Sequence, residues 1–297
     1  MMKLHKQADF ILILATLLAA AGWIFSKEAI QGLAPFQFVG LRFLLASMCL
    51  LPFCYKDIRK LNITDLLKTV GVGCLLGISI LLWIYAISVS ETLSEGAFIM
   101  SLAMLFVPLV AWPLFKIAPP RIFWISLPIA IAGLMLLSLS NGWQQSSSQL
   151  WFILSATMLA VHFNCNSRSA QRISPLSLTC IQLFVTGSLG IFISAMTEVW
   201  PQQVSGDIWG WFAMSVLIAT SLRYLMQTIG QKHSIAANAA IIMVLEPIWT
   251  VILSILWYDE PMPINKILGC LLIFISLFIY RRGASTLTIK AVNKREK

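Results

Sequence analysis

Long apolar runs alternate with short polar gaps along the whole chain, and inside the runs apolar residues follow one another directly. A helix needs about 20 largely apolar residues to cross a bilayer. Strands of a membrane barrel would instead alternate apolar and polar residues, which segments such as LPIAIAGLMLLSL do not do. The pattern therefore predicts an all-α membrane protein with ten transmembrane helices. The predicted spans are 10–30, 35–55, 67–89, 93–115, 122–139, 150–169, 176–198, 208–229, 235–257 and 264–280.

Composition places the chain outside the range of soluble domains. Apolar residues make up 59% of the chain and charged residues 11%, and the mean hydropathy is +0.85. Soluble domains are about half apolar and about a quarter charged. The net charge of +9 could suggest nucleic acid, but the basic residues lie between apolar runs and not in a basic and aromatic stripe on a polar domain. The expected partner is the lipid bilayer, and no nucleic acid is expected.

The basic residues also predict an orientation. Nearly all Lys and Arg fall in the gaps on one side of the predicted helices, for example Lys56, Arg168 and Lys232, and the opposite gaps carry acids such as Glu28 and Glu198. Positively charged gaps face the cytoplasm, which places both termini there, in a bacterial inner (plasma) membrane. The residues at 283–297 are predicted to form a basic cytoplasmic tail near anionic lipid.

Six cysteines lie within or at the ends of apolar runs. None forms a CxxC pair or has metal-ligand spacing with a histidine. They are expected to be small core residues, without a disulfide framework, a metal or a cofactor.

The two halves of the chain match at an offset of about 140 residues. At this offset Pro35 falls on Pro175 and Ser26 falls on Asn166. Each half holds five predicted helices, an odd number, so the halves must insert with opposite topology. We expect a first repeat at 1–143 and a second at 144–282. Inverted repeats are typical of secondary transporters, in which two halves rock around a site near the membrane midplane.

Three motifs resemble those of a known family. They are Ala34-Pro35 followed by Arg42, Trp83-Ile84-Tyr85-Ala86 followed by Gly96-Ala97, and Leu245-Glu246-Pro247 followed by Asp259-Glu260-Pro261. With these motifs the chain resembles the EamA-type transporters of the drug/metabolite transporter superfamily over about residues 10–282. Two positions depart from the pattern. Ala118-Pro119-Pro120 stands where the family often carries Glu, and Gln182 replaces the Arg in the second half.

The resemblance implies a membrane transporter of small solutes. We expect export of amino acids or related small metabolites by alternating access. The same scaffold serves import, so uptake of amino acids or nucleoside-like metabolites is the alternative. The expected partner is a small-molecule substrate, and the protein is expected to be a monomer or a homodimer.

An intramembrane enzyme is the alternative from another class. The chain contains no HExxH motif and no GxxxxGK[ST] motif. Ser188 lies outside a GxSxG elbow and has no evident base. The sequence therefore favours a transporter over an enzyme.

Charged residues inside the predicted spans are the first candidates for the site, because ionisable groups in a membrane are costly and usually functional. Glu246 lies ~16 Å and Arg223 ~9 Å from the cytoplasmic face at 1.5 Å rise per residue. The two could form a structural lock between helices, or one of them could meet a charged substrate group or a proton. Pro247 and its repeat counterpart Pro108 are predicted helix breaks.

Other polar and aromatic residues complete the candidate set. His162 and Asn166 lie four apart on one helix face and could form a helix contact or a cavity wall. Trp23, Trp83 and Tyr85 could form aromatic walls or serve as interfacial anchors. Arg42 is expected to be an anchor that can reach outward. The remaining candidates are Tyr224, which Tyr85 matches in the repeat, and Asn238.

Overall fold

The computed structural model describes residues 2–89, 93–138, 148–201, 203–259 and 263–293. Within these ranges the backbone is helical, with short turns and no strand. The α-helices are α1 Met2–Ala29, α2 Pro35–Ile58, α3 Ile63–Ser88, α4 Leu93–Phe115, α5 Arg121–Ser138, α6 Ser148–Ala170, α7 Pro175–Thr197, α8 Gly206–Met214, α9 Arg223–Lys232, α10 Ala236–Met243, α11 Glu246–Tyr258 and α12 Ile264–Asn293. The predicted all-α fold is confirmed.

Seven helical segments of the described chain are long and apolar enough to cross a membrane. They lie in α1 to α4, in α7, and in the two composite helices Gly206–Lys232 and Ala236–Tyr258. The apolar parts of α5 and α12, Arg121–Leu136 and Ile264–Tyr280, are shorter. Large apolar side chains point away from the protein, such as Phe53 at 76% and Leu256 at 74% exposure. Exposing such an apolar surface to water is unfavourable, whereas contact with lipid tails is not. The chain is therefore a multi-pass membrane protein.

The helix Gly206–Lys232 changes its geometry in the middle. Between α8 and α9 the segment Ser215–Leu222 is a π-helix. Within it, the hydroxyls of Thr220 and Ser221 each donate to the carbonyl five residues earlier, at 2.9 Å in both cases. A π-segment is rare and is frequently found at functional sites, and α9 begins directly after it.

A second irregularity separates α10 from α11. Val244 and Leu245 form a turn with bonds to carbonyls three residues back, at 3.3 and 3.0 Å. Pro247 then occupies the first turn of α11, where its missing N–H has no helical partner to lose. The helix is thus interrupted at Val244–Leu245, directly before Glu246 and Pro247.

The predicted helix break at Pro108 is wrong. α4 runs unbroken from Leu93 to Phe115 with Pro108 inside it. A proline removes a single backbone hydrogen bond, and neighbouring helices can supply other contacts in a membrane. Here the Asn164 amide of α6 donates to the carbonyl of Val107 at 2.8 Å, which ties α4 to α6 beside the proline.

α2 and α7 form the most extensive helix pair of the described chain. Their backbones meet at glycines, since a Cβ added to Gly40 would lie 2.6 Å from the Ile191 nitrogen, and one added to Gly187 would overlap Leu44. Small residues are the usual way for membrane helices to approach closely. The pair is therefore held by backbone proximity.

Glu198 fastens the same pair at one end of the bundle. Its carboxylate accepts the backbone N–H groups of Phe36 and Gln37, both at 2.8 Å, and the Ser194 hydroxyl at 2.7 Å. Free N–H groups at a helix N-terminus carry partial positive charge that a carboxylate complements. We call this end of the bundle, which also holds Glu28, the Glu198 end.

The opposite end is defined by a contact between the residue that follows α6 and the last residue of α9. There the Gln171 amide donates to the carbonyl of Lys232 at 2.6 Å. We call it the Lys232 end.

Substituting Gly187 with Ala should destabilise the protein. The new Cβ would overlap the backbone of α2, and overpacking of this kind costs about 1–3 kcal/mol. Gly71→Ala in α3 is the matched control, because no atom lies within 4 Å of a Cβ added there. Thermal unfolding of the detergent-purified variants should give a lower midpoint for Gly187→Ala and an unchanged or higher one for Gly71→Ala. Equal midpoints would contradict the proposed close packing.

Candidate functional site

Arg223 and Glu246 both stand where the backbone leaves regular helical geometry. Arg223 is the first residue of α9, directly after the π-segment, and Glu246 is the first residue of α11, directly after the turn. Irregular backbone within a membrane protein is tolerated where it is buried in protein or lines a cavity. The two departures from regular helix thus place two charged side chains towards each other.

The two charges face each other without a hydrogen bond. Arg223 Nη2 lies 3.8 Å from Glu246 Oε2, longer than a hydrogen bond. The other carboxylate oxygen of Glu246, Oε1, accepts the indole N–H of Trp23 at 3.2 Å. The side chains of Arg223 and Glu246 are 14% and 26% exposed, so the pair is neither sealed nor fully paired.

Aromatic rings surround this pair. Trp23 and Trp83 meet edge to face with their centroids 5.8 Å apart, and the Arg223 guanidinium lies 4.2 Å from the centroid of the Tyr224 ring. Tyr224 in turn contacts Phe43 of α2 at 5.6 Å. Five candidates that the sequence singled out thus lie together, namely Trp23, Trp83, Arg223, Tyr224 and Glu246. We call these five residues the charged site.

Arg42 adds a second positive charge close to this site. Its guanidinium donates to the hydroxyls of Ser26, at 2.8 Å, and Thr220, and to the carbonyl of Ala219 at 3.4 Å. It also lies over Phe43, the ring that contacts Tyr224. The side chain therefore points into the bundle and not outward, and joins α2 to α1 and to the π-segment. None of its described partners is a carboxylate. Arg42 and Arg223 therefore bring two positive charges to this region and Glu246 brings one negative charge, which leaves an excess of positive charge.

His162 and Asn166 belong to a second, buried cluster between α6, α7 and α9. His162 Nε2 bonds to Gln182 Oε1 at 2.7 Å, and Gln182 Nε2 donates to Asn166 Oδ1 at 2.9 Å. Asn166 Nδ2 continues the chain to Gln231 Oε1 and, at 3.3 Å, to the Thr228 hydroxyl. His162 and Asn166 share a helix face and contact the same glutamine.

Three residues of this buried cluster were not among the sequence candidates, namely Gln182, Thr228 and Gln231. Gln182 holds the repeat position of Arg42, and Gln231 lies eight residues after Arg223 on α9. Gln231 and Gln227 follow Arg223 at a spacing of four residues, and this spacing is the sequence signal that could have identified both glutamines.

Two other candidates lie apart from both groups. Tyr85 is 41% exposed, and its ring packs against Trp151 at 5.2 Å. Asn238 accepts the hydroxyl of Tyr280 at 3.2 Å. The structure brings neither of them into contact with the Arg223–Glu246 pair.

A separate contact fastens α1 to α11 at the Glu198 end. The Tyr258 hydroxyl donates to Glu28 Oε1 at 2.6 Å, and Lys27 Nζ lies 4.0 Å from the centroid of the Tyr258 ring. The helix that carries Glu246 is therefore held to α1 at Trp23 and again at Glu28.

Comparison with known proteins supports a common fold and family. The family described as EamA-like transporter family matches the chain twice, over residues 6–139 and 146–282. A relative named "Uncharacterized transporter" from Archaeoglobus fulgidus is 21% identical over 280 residues, which cover 92% of this chain and 85% of the relative. A crystal structure described only as that of a protein aligns with a TM-score of 0.80 at 16% identity, over 95% of this chain and 99% of the other. At that identity the structural likeness speaks for the fold alone.

Replacing Arg42 with Lys should destabilise the bundle although the charge is kept. An ammonium cannot reproduce the fork with which the guanidinium reaches α1 and the π-segment together, and hydrogen bonds to charged groups contribute about 1.5–3 kcal/mol each. The same change at Arg59, which is exposed at the end of α2, is the control. Thermal unfolding in detergent should show a lower midpoint for Arg42→Lys only. An unshifted midpoint would mean that the three contacts of Arg42 contribute nothing.

Proposed function

Because the chain belongs to the EamA-like transporter family, we propose that this transporter of small solutes exports amino acids or related zwitterionic metabolites by alternating access. The observation that carries the proposal is the Arg223–Glu246 pair. Opposite charges face each other at 3.8 Å beside Trp23, which contacts Trp83, and both charged side chains remain partly accessible. Small zwitterions carry the complementary charges at a similar separation.

The charged site fits a zwitterion group by group. Arg223 can take a carboxylate in a bidentate arrangement, and Glu246 can take an ammonium group. Trp23 and Trp83 offer apolar faces to a side chain, and their rings also favour a nearby cation. The excess positive charge contributed by Arg42 favours cargo that carries a carboxylate.

Alternating access needs two halves that can rock against each other, and the contacts of the two halves support an inverted repeat. Arg42 donates to Ser26 in the first half, and Gln182 donates to Asn166 in the second. These are the same two repeat positions in each half. The helix pairs also correspond between the repeats. α3 of the first half packs on α6, and its counterpart in the second half, the composite helix Gly206–Lys232, packs on α1, the counterpart of α6. Each of the two family matches lies within one of the repeats expected at 1–143 and 144–282.

The proposed location is a bacterial inner membrane with both termini in the cytoplasm, crossed ten times. Basic residues near the Lys232 end and acids near the Glu198 end support this orientation. On this basis cargo leaves the cell by moving from the Lys232 end to the Glu198 end. Uptake would use the same site in the opposite direction.

Labelling of introduced cysteines tests the orientation. Val199 is 94% exposed at the Glu198 end, and His233 is exposed at the Lys232 end. A membrane-impermeant maleimide added to intact cells should label Val199→Cys and leave His233→Cys unlabelled until the membrane is opened. Mass spectrometry of the peptides separates each new thiol from the native cysteines. The reverse labelling pattern would overturn the orientation.

Transport in proteoliposomes tests the function and the role of the pair. Wild-type protein should exchange labelled neutral amino acids within a panel that also contains nucleosides and organic cations. Glu246→Gln should lower the rate at least about tenfold, since roughly 1.4 kcal/mol of binding is lost with the charge. It should still fold, because the amide oxygen can accept the Trp23 N–H. Asp57→Asn, a change at an exposed acid of α2, is the control and should transport normally.

A double variant separates a substrate site from a structural lock. Buried ion pairs are often replaceable by apolar residues at little cost in stability. Arg223→Met with Glu246→Leu should therefore fold and fail to transport. Transport at the wild-type rate by this variant would show that the pair is only a lock. A hydrolytic activity in a protein that transports nothing would instead favour an enzyme.

A further inference from the structure

One face of α9 carries polar side chains at every turn. Arg223, Gln227 and Gln231 are four residues apart, so they stand above one another on the same side of the helix. Eight residues of helix cover ~12 Å. The stripe therefore leads from the charged site, at Arg223, to the Lys232 end.

Each of these three side chains keeps a buried polar atom without a hydrogen-bond partner among the described residues. The atoms are Arg223 Nε, Gln227 Oε1 and Gln231 Nε2. Gln227 is 3% exposed and Gln231 is fully buried. Buried polar groups in proteins are almost always hydrogen-bonded. Three unpaired polar atoms along one helix face therefore indicate a hydrogen-bonding partner that the described side chains do not provide.

A fourth unpaired atom lies on the helix that faces this stripe. His162 of α6 is 1% exposed, and its Nδ1 has no partner among the described residues. α6 and α9 run in the same direction, because both end at the Gln171–Lys232 contact. Asn166 bonds to Gln231 and Thr228, so His162, one turn earlier, lies near the level of Gln227.

We propose that Arg223, Gln227, Gln231 and His162 form a hydrogen-bonding track along which the polar group of the cargo moves between the charged site and the Lys232 end. The proposal rests on the transport function proposed above and narrows its substrate class. Neutral Gln and His side chains each offer a donor and an acceptor. They can therefore form hydrogen bonds with a carboxylate, an ammonium, an amide or a hydroxyl group of the cargo. They can form no hydrogen bond with a purely apolar solute.

Neutral groups also suit a path better than charges do. A transported solute must be bound well enough to enter and weakly enough to leave. In the structure the track is closed beside Gln231, because Asn166 and Gln182 tie α9 to α6 and α7. Opening the Lys232 end would separate these helices and free the amides of Asn166 and Gln231.

The test compares two buried glutamines that differ in position only. Gln37 on α2 is 5% exposed and also has an unpaired Oε1, but it lies at the Glu198 end beside Glu198. Methionine matches glutamine in shape without its amide. Gln37→Met and Gln227→Met should both keep or raise the thermal midpoint, since each removes an unpaired buried group.

Transport should separate the two variants. Gln227→Met should lower amino acid transport per folded molecule at least about tenfold, and Gln37→Met should leave it unchanged. Gln227→Asn, which keeps an amide, should recover part of the rate. Wild-type transport by Gln227→Met would overturn the track, as would a lower thermal midpoint, which would show the amide to be a structural partner.

A second measurement needs no transport and so separates the track from the proposed function. Gln227→Cys in a bilayer should react with a small water-soluble thiosulfonate at least about tenfold faster than Gln37→Cys, with each site followed by peptide mass. Equal rates at the two positions would overturn the track. An inert wild-type protein across the amino acid panel, with fast labelling at Gln227→Cys, would keep the track and refute amino acids as cargo.

Discussion

The hydrocarbon core of a membrane offers no water to backbone amides, so each N–H and carbonyl has to find its partner inside the protein. This constraint explains why the described chain is helical throughout and why its two deviations are informative. The π-segment Ser215–Leu222 and the turn at Val244–Leu245 both lie within composite membrane helices. Each deviation is followed at once by a charged residue, Arg223 in one case and Glu246 in the other. The backbone thus loses its regular geometry directly before the two charged residues of the proposed site.

Rigid and adjustable parts of the bundle use different contacts. α2 and α7 meet through glycines and are capped together by Glu198, which leaves little freedom between them. The Arg223–Glu246 pair has a 3.8 Å separation and partial exposure, and the cluster around Gln231 consists of neutral amides. Close backbone packing resists displacement, whereas a few neutral hydrogen bonds can be exchanged for bonds to water or cargo. In the proposed transport cycle, the α2–α7 pair is therefore suited to be the fixed frame, and α9 and α11 are suited to be the helices that move.

The sequence predicts the helices well because membrane burial imposes long apolar runs, and it predicts the Arg223–Glu246 pair because intramembrane charge is rare. The sequence does not predict the residues whose role depends on a contact between distant parts of the chain. Gln182 and Gln231 are uncharged and common, and only the fold brings them together with His162 and Asn166. Tyr85 and Asn238 look like site residues by type, yet they pack against Trp151 and Tyr280. Pro108 and Pro247 hold matching repeat positions, and only the second follows a break, because the local packing decides what a proline does.

The two ends of the proposed path are closed by different chemistry. At the Glu198 end the Tyr258 hydroxyl donates to the carboxylate of Glu28, a charge-assisted bond of the stronger kind. At the Lys232 end Asn166 and Gln231 make bonds between neutral amides, which exchange more readily with another hydrogen-bonding group. On the proposed function, polar cargo would replace the amide hydrogen bonds at the Lys232 end directly, whereas opening the Glu198 end would break the charge-assisted bond between Tyr258 and Glu28. In the proposed alternating-access cycle both ends open in turn, and this chemical difference between the two ends would give the proposed transport a preferred direction.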